Sequence, residues 1–389
     1  MNMISYTEYI EKSVPLLEEL LAINTCQPEG SEDKAVEYLM QKFPAGTQMK
    51  KLVHTESRSS LVVKVPGRSE GKALVFVGHL DTVPYGPLEN WNTQPGQVTY
   101  DGDRIYCRGA ADMKGGAAAM TAAALYLLEN KIVPEKDIYF CYTADEENEG
   151  LGAFALAQEE FMNSAAEVII AEPTRGLVSV GEKSALWLKI KSHGVQAHGS
   201  RPELAVNGIE MLMELAARIA RCIDMNTEKQ FFGNSTMAVT KLNGGFSTNV
   251  IPAEAEMVVD IRLIPGQSND LLLEKITEQA ENLCKEHQPL EITIQVINNR
   301  PSVEVRENAP LLSHMESVLE ELGLSTERRG TIFYTDASQI IPCHDADFII
   351  LGPGDDRMAH QSNEFIDIKD LKTMAEIYLK YIDEYYLAE

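Results

Sequence analysis

Six consecutive residues, Ala73-Leu-Val-Phe-Val-Gly78, offer no polar side chain to water. A strand with one wet face alternates apolar and polar residues, whereas an unbroken run is what a strand covered on both faces requires. The neighbouring segments supply the covers. Lys114 to Glu129 is an Ala-rich helical stretch, and Gly115 and Gly116 let its start pack closely on a sheet. Asp137 to Thr143 and Glu167 to Ala171 are two further predicted strands, with a helix around Gly152 to Glu160 between them. Short apolar runs alternating with helical patterns predict βαβ units, and so an α/β fold with a mostly parallel sheet and helices on both faces.

Near Val178 the pattern changes. Ala185 to Ser192 reads as a strand, and Asn207 to Asp224 as a helix whose Ile209, Leu212, Met213, Ala216, Ile219 and Ile223 share one face. Met237 to Leu242, Ala255 to Leu263 and Leu290 to Val296 read as strands, with an amphipathic helix at Leu271 to Glu286. That β-α-β-β-α-β order is the plan of a small ferredoxin-like α+β domain. From Asn298 the chain returns to the first pattern, with a short strand at Asp347 to Leu351 and a terminal helix at Ile368 to Tyr385. The expected organisation is residues 1–178 and 298–389 as one domain, with 179–297 inserted into it.

At 389 residues the chain is long enough for two cores. A formal charge of −25 repels phosphate backbones and anionic bilayers, which argues against nucleic acid and membrane partners. No segment approaches the run of about 20 apolar residues that spans a bilayer. The start, MNMISYTEYIEK, lacks the basic-then-apolar layout of a secretory signal. Cys26, Cys107, Cys141, Cys222, Cys284 and Cys343 are scattered without a C-x-x-C pair, which speaks against a zinc knuckle or redox dithiol. Reduced thiols in a cytoplasmic protein are the expectation.

In open parallel sheets, chemistry gathers beyond the carboxyl ends of the strands. Here those ends carry His79-Leu-Asp81, Asp145-Glu-Glu147, Glu172-Pro-Thr174 and, past a Gly/Pro loop, His360, while Asp112 opens the Ala-rich helix. Singly, each has an ordinary explanation. H-x-D can be a surface pair, adjacent glutamates a solvated face in a chain with 59 acidic residues, Asp112 a helix cap, and His360 a hydrogen-bonded loop residue. Their joint placement on one rim favours a pair of divalent cations. One short carboxylate, Asp112, suits a bridging position. Asp81 can accept the second ring N–H of His79 and fix its orientation. Of two adjacent glutamates, one can bind metal while the other takes a proton from the attacking water.

Gly78-His-Leu-Asp-Thr-Val-Pro84, Arg108-Gly-Ala-Ala-Asp-Met-Lys-Gly-Gly116, Ala144-Asp-Glu-Glu147 and Ala171-Glu-Pro-Thr174 together resemble the M20 metallopeptidase family, over essentially the whole chain. That family includes acetylornithine deacetylase, succinyl-diaminopimelate desuccinylase, aminoacylase and carboxypeptidase G2. The resemblance implies a di-zinc hydrolase, tolerant of Co or Mn. His79 and Glu172 would hold one ion, Glu147 and His360 the other, with Asp112 between them. Glu146 would be the general base on a metal-bound water. It further implies a homodimer through the inserted lid domain. There His198, in Gln196-Ala-His-Gly-Ser-Arg-Pro202, would stabilise the oxyanion, in its own or the partner subunit's site. Asn249 and Arg262 would contact substrate. Arg262 has two readings at this stage, a clamp on a substrate carboxylate or an ion pair within the lid sheet.

The chain departs from the family pattern in places. Cys107 stands where Gly is common, Lys183 stands near a place where desuccinylases use Arg, and Phe333-Tyr-Thr-Asp-Ala-Ser338 lacks the Arg of a desuccinylase segment. Glu172, rather than Asp, points toward the deacylase and carboxypeptidase branch. The expected reaction is therefore amide hydrolysis of a small N-acyl amino acid, probed against carboxypeptidase or dipeptidase action with the same machinery, and against a non-catalytic binding protein of this fold. No motif fixes the acyl group or the amine.

Overall fold

The computed structural model describes residues 6–387; residues 1–5, on which part of the leader reading rests, and residues 388–389 lie outside the described residues. Contacts divide the chain into two compact units. One comprises Met1–Gly181, Val305–Arg329 and Thr335–Glu389, the other Glu182–Glu304 and Gly330–Tyr334. No helix among the described residues is long and apolar enough to cross a membrane.

In the first unit the apolar run becomes the strand Ala73–His79, and all its residues are buried. It pairs in parallel with Ile138–Thr143 on one side and Ala165–Ile170 on the other. Asp347–Ile350 adds in parallel to Ala165–Ile170. Ser59–Val65 joins Ile138–Thr143 antiparallel, and Gln48–Val53 follows it at that edge. The parallel strands are thus the centre of a mixed sheet, the α/β class that the periodicity predicts. Phe76 stacks on Phe140 with ring centroids 5.1 Å apart and meets Tyr378 of the helix Ile368–Ile382 edge-on at 5.0 Å. That helix packs with Thr7–Leu21 and with the Ala-rich helix Gly115–Glu129. The Ala-rich helix is buried continuously from Gly115 to Leu127, so small side chains on every face are what let it sit inside the layer.

Its approach to the sheet is set by backbone contact. A Cβ on Gly116 would stand 1.9 Å from the Ala171 carbonyl oxygen, and one on Gly352 2.3 Å from the same atom. Two bare backbones therefore flank Ala171, the residue before Glu172.

The second unit runs strand Ala185–His193, helix Gly208–Cys222, strands Thr236–Gly244 and Glu254–Arg262, helix Asn269–Glu286 and strand Glu291–Arg300. The strands form an antiparallel sheet with Glu254–Arg262 and Ala185–His193 at its centre. This is the split βαβ order expected from the pattern. Asn207 and Ser268 cap the two helices by accepting the N–H of Ile209 at 3.1 Å and of Leu271 at 3.3 Å. Leu186, Leu188, Ile190, Met257, Val259 and Ile261 build the core with Leu212, Leu215, Ile219, Ile276 and Leu283 of the helices. Cross-strand partners share a face, so Trp187, Asp260 and Asn298 lie together on the other side of the sheet.

Replacing Gly116 with Ala sets a propensity gain of at most about 1 kcal/mol against a backbone overlap. The overlap wins, because the clashing atom is a carbonyl that cannot rotate away. Gly116→Ala is expected to lower unfolding stability by about 2 kcal/mol or more, measured by urea titration. Wild-type stability in this variant would contradict the packing described.

Candidate active site

Five strand-end and loop segments of the first unit converge. His79 is the last residue of its strand, Glu146 and Glu147 follow Ile138–Thr143, and Glu172 follows Ala165–Ile170. Asp112 lies in the irregular turn before the Ala-rich helix, with non-helical φ and ψ of −120° and 100°. His360 sits in the loop after Asp347–Ile350 with φ 62°, a left-handed conformation uncommon outside glycine.

The centre is Asp112. Its Oδ1 stands 3.1 Å from His79 Nε2, and its Oδ2 3.4 Å from His360 Nε2. Each histidine has a second carboxylate. Glu172 Oε1 is 3.4 Å from His79 Nε2, and Glu147 Oε2 is 2.9 Å from His360 Nε2. Two nitrogen–oxygen clusters thus share one carboxylate. Glu146 lies beside them, its Oε2 3.9 Å from His79 Nε2.

Packing this many acids together is electrostatically costly. Burial and the neighbouring acids raise Glu146 well above the usual carboxylate range, burial and Asp112 raise Glu147, and burial pushes Glu172 up to about 8. Asp112 goes the other way: against its burial, hydrogen bonds with His360 and His79 hold it well below that range. Burial disfavours charge on His79, yet Glu172 and Asp112 raise its proton affinity, and Asp112 and Glu147 do the same for His360. Glu146 Oε1 and Glu147 Oε1 are buried without a hydrogen-bond partner. Orphaned carboxylate oxygens, imidazoles held by acids, and nitrogen–oxygen separations of 2.9 to 3.4 Å all fit divalent cations. Two ligands about 2.0–2.1 Å from a tetrahedral ion stand roughly 3.3 Å apart. The donor set of imidazole and carboxylate suits zinc and tolerates cobalt or manganese.

The surrounding residues explain how the cluster is held. The expectation that the Asp81 carboxylate orients His79 changes in detail. His79 Nδ1 is 3.0 Å from the Asp81 backbone oxygen, while the nearest carboxylate oxygen is 3.6 Å away. That carboxylate instead accepts the N–H groups of Glu146 and Glu147 at 3.0 and 3.1 Å. Beyond the strand the chain goes on to a parallel bridge between Thr82 and Cys26, and there the Asp81 carbonyl faces the ring while its carboxylate faces the Glu146–Glu147 turn. Gln27 donates to Asp81 at 3.1 Å, and Arg58 pairs with Glu32 at 2.6 Å and Asp145 at 3.3 Å. Sequence reading does not find Gln27, Glu32 and Arg58, because an isolated Gln or Arg far along the chain carries no motif.

Glu364 was equally hidden. It is fully buried and accepts from Gly109, Ala111 and Asp112 N–H at 3.0, 2.9 and 3.1 Å and from Arg108 at 2.7 Å. One loop therefore carries His360 and, four residues on, the carboxylate that shapes the backbone around Asp112. The signal available in sequence was an acid just beyond a candidate ligand histidine, in a chain rich in acids.

His198, Asn249 and Arg262 belong to the second unit. Ala197–His198 pairs antiparallel with Val250–Ile251, so His198 and Asn249 share a small exposed ribbon, and Gly199 N–H donates to the Asn249 carbonyl at 2.8 Å. Arg262 is bound by Asp260 of its own strand through two hydrogen bonds, at 2.8 and 3.1 Å. The ion pair of one sequence reading is present in the structure, and a clamp on a substrate carboxylate is the other reading.

An α/β sheet with a parallel centre and acids and histidines massed at its carboxyl edge defines a protein built to hold divalent metal. The chain belongs to peptidase family M20/M25/M40, whose family model matches residues 75–384. It is 28% identical over 97% of both chains to a Staphylococcus aureus protein named "probable succinyl-diaminopimelate desuccinylase". Its fold is similar to a tripeptidase from Staphylococcus aureus, with TM-score 0.77, 23% identity and coverage of 96% and 97% of the two chains. It is also similar to an M20 metallo-carboxypeptidase from Sulfolobus solfataricus, with TM-score 0.78, 18% identity and coverage of 95% and 98%. A Bacillus subtilis M20 peptidase described as binding a dinuclear metal gives TM-score 0.70 at 15% identity, covering 96% and 98%. Membership makes this chain a hydrolase acting on amide or peptide bonds.

The Glu364 contacts generate a test. Glu364→Gln keeps the volume but turns an amide NH₂ toward Arg108 or the loop N–H groups. It is expected to weaken zinc binding about 10- to 100-fold with the chain still folded, measured by competition with a chromogenic chelator. Unchanged affinity would show that Asp112 is positioned without this buttress.

Proposed function

We propose that this chain is a two-metal amidohydrolase of deacylase type, acting on a small N-acyl amino acid or a related amide, with zinc as the metal. The observation that carries the reading is the division of Asp112 between two imidazoles, each with its own glutamate. His79 with Glu172 and His360 with Glu147 would hold the two ions, and Asp112 would contribute to both. Ions in these positions supply Lewis acidity toward the amide carbonyl and make a water acidic near neutral pH.

Glu146 is the general base in this reading. It takes the proton of the attacking water and passes it to the departing amine. Its orphaned oxygen and its raised proton affinity, caused chiefly by burial, suit a group that must hold a proton between those events. Asp81 keeps the Glu146–Glu147 backbone in place through its two N–H contacts. His198 would donate to the oxyanion. Its Nδ1 accepts the Ser200 N–H at 3.1 Å, which leaves the ring proton on Nε2 as the available donor. Asn249, on the same ribbon, would contact substrate. The reading includes a homodimer through the second unit as lid, supported by the exposed edge strand Thr236–Gly244, and a cytoplasmic setting for its reduced cysteines. Carboxypeptidase or dipeptidase action by the same residues is the alternative that a substrate panel separates.

Glu146→Gln is expected to retain both metals and to lose about 10²–10⁴-fold in kcat. The assay is free-amine release from N-acetyl and N-succinyl amino acids beside dipeptides. A fully active variant, or one that fails to take up metal, contradicts the role. Faster turnover of dipeptides than of every acylated amino acid contradicts the deacylase assignment.

A further inference from the structure

The face of the second unit's sheet turned away from its helices holds nitrogen donors with nothing to donate to. Arg300 is only 3% exposed, and its Nε has no hydrogen-bond partner. Trp187 Nε1 and Asn298 Nδ2 are likewise buried and without an acceptor. These groups are neighbours. Asn298 is the direct cross-strand partner of Trp187, and Arg300 lies opposite Ala185, two residues along on the same face. A bulge between Val296 and Asn298 re-aims the strand at this point. The Tyr334 ring gathers the cluster, its centroid 6.1 Å from that of Trp187 and 5.4 Å from the Arg300 guanidinium carbon.

The nearby cations are already engaged. Arg262, 5.9 Å from the Tyr334 ring, is neutralised by Asp260, and Lys183 donates to the Asn234 carbonyl at 2.6 Å. No described carboxylate pairs with Arg300. Three buried donors without acceptors are each costly, and the lack of a counter-charge beside the Arg300 Nε adds to that cost. All three defects are cured by one ligand type, an acceptor-only anion. The Arg262–Asp260 pair contributes no net charge, while Arg300 and Lys183, which bonds only a neutral carbonyl, each keep theirs, so the site suits an anion. A guanidinium edge with an indole N–H and an amide N–H matches the planar, two-oxygen face of a carboxylate.

We propose that Arg300, Trp187 and Asn298 form a carboxylate-binding site on the second unit. The carboxylate comes either from the amide substrate, in which case the assignment rests on the hydrolase reading above, or from a free carboxylic acid that binds independently of turnover.

Calorimetric titration of the full-length chain with glutarate and with acetate, at constant ionic strength, tests the site. Wild type is expected to bind. Arg300→Met is expected to lose about tenfold or more in affinity, the effect of removing a charge-assisted hydrogen bond, and Arg300→Lys to recover part of it. Trp187→Phe keeps the ring, loses the N–H, and is expected to bind several-fold more weakly. Without ligand, Arg300→Met is expected to melt no lower than wild type, because an unpaired buried charge has been removed. A purely structural Arg300 would make it melt lower with carboxylate affinity unchanged. That result, or a wild type that binds neither acid, overturns the proposal. Should Arg300→Met fail to fold, unchanged glutarate affinity in Trp187→Phe overturns it alone. The source is read from KM in Trp187→Phe for N-acyl amino acids and their carboxamides. A rise confined to the acids makes the substrate the occupant, while no difference alongside weakened glutarate binding makes a free acid the occupant. Absence of any turnover by wild type contradicts the hydrolase reading and leaves the calorimetric result standing.

Discussion

Asp112 between two imidazoles is the contact on which the rest of the first unit depends. One short carboxylate can address two groups at once only if its backbone is fixed, and the fixing is done by Glu364, which gathers the N–H groups of Gly109, Ala111 and Asp112 and the Arg108 side chain into one buried knot. On the other side, Asp81 ties down the Glu146–Glu147 turn, and Gln27 and Arg58 hold Asp81 and Asp145 from below. Four acids near two histidines would repel one another if all were ionised. Burial and the neighbouring acids raise the proton affinities of Glu146, Glu147 and Glu172, and divalent cations are the counter-charges that would reconcile such a cluster.

The sheet makes this arrangement possible by bringing strand ends together that are distant in sequence. Ala73–His79, Ile138–Thr143, Ala165–Ile170 and Asp347–Ile350 run in parallel, so the residues after each end on one rim. Close helix packing at Gly116 lets the turn bearing Asp112 reach that rim beside Ala171.

Much of this was legible in the residues. Buried strands need unbroken apolar runs, and the histidines and acids follow those runs directly, so fold class and the converging residues could be read together. The supporting contacts could not. Glu364, Gln27, Glu32 and Arg58 act through backbone N–H groups and through each other, and nothing in residue type distinguishes them from the surface charge of an acidic chain. Asp81 was legible as a residue and not as a geometry, because period-two reasoning gives the side of a strand and not which groups meet a side chain beyond its end. In the second unit, alternation along Glu254–Arg262 revealed the helix-facing core. It did not reveal that Asp260 would occupy Arg262 while Arg300 stayed unpaired, since that depends on which strand lies next to which.

The central claim is that Asp112 is shared by two cations. A crystal of the zinc-loaded chain, with anomalous scattering recorded at the zinc edge, measures it directly. The expected result is two zinc peaks, one between His79 and Glu172 and one between His360 and Glu147, each about 2.0–2.2 Å from an Asp112 oxygen. A single peak, or two peaks with Asp112 bound to neither or to only one, would contradict the account.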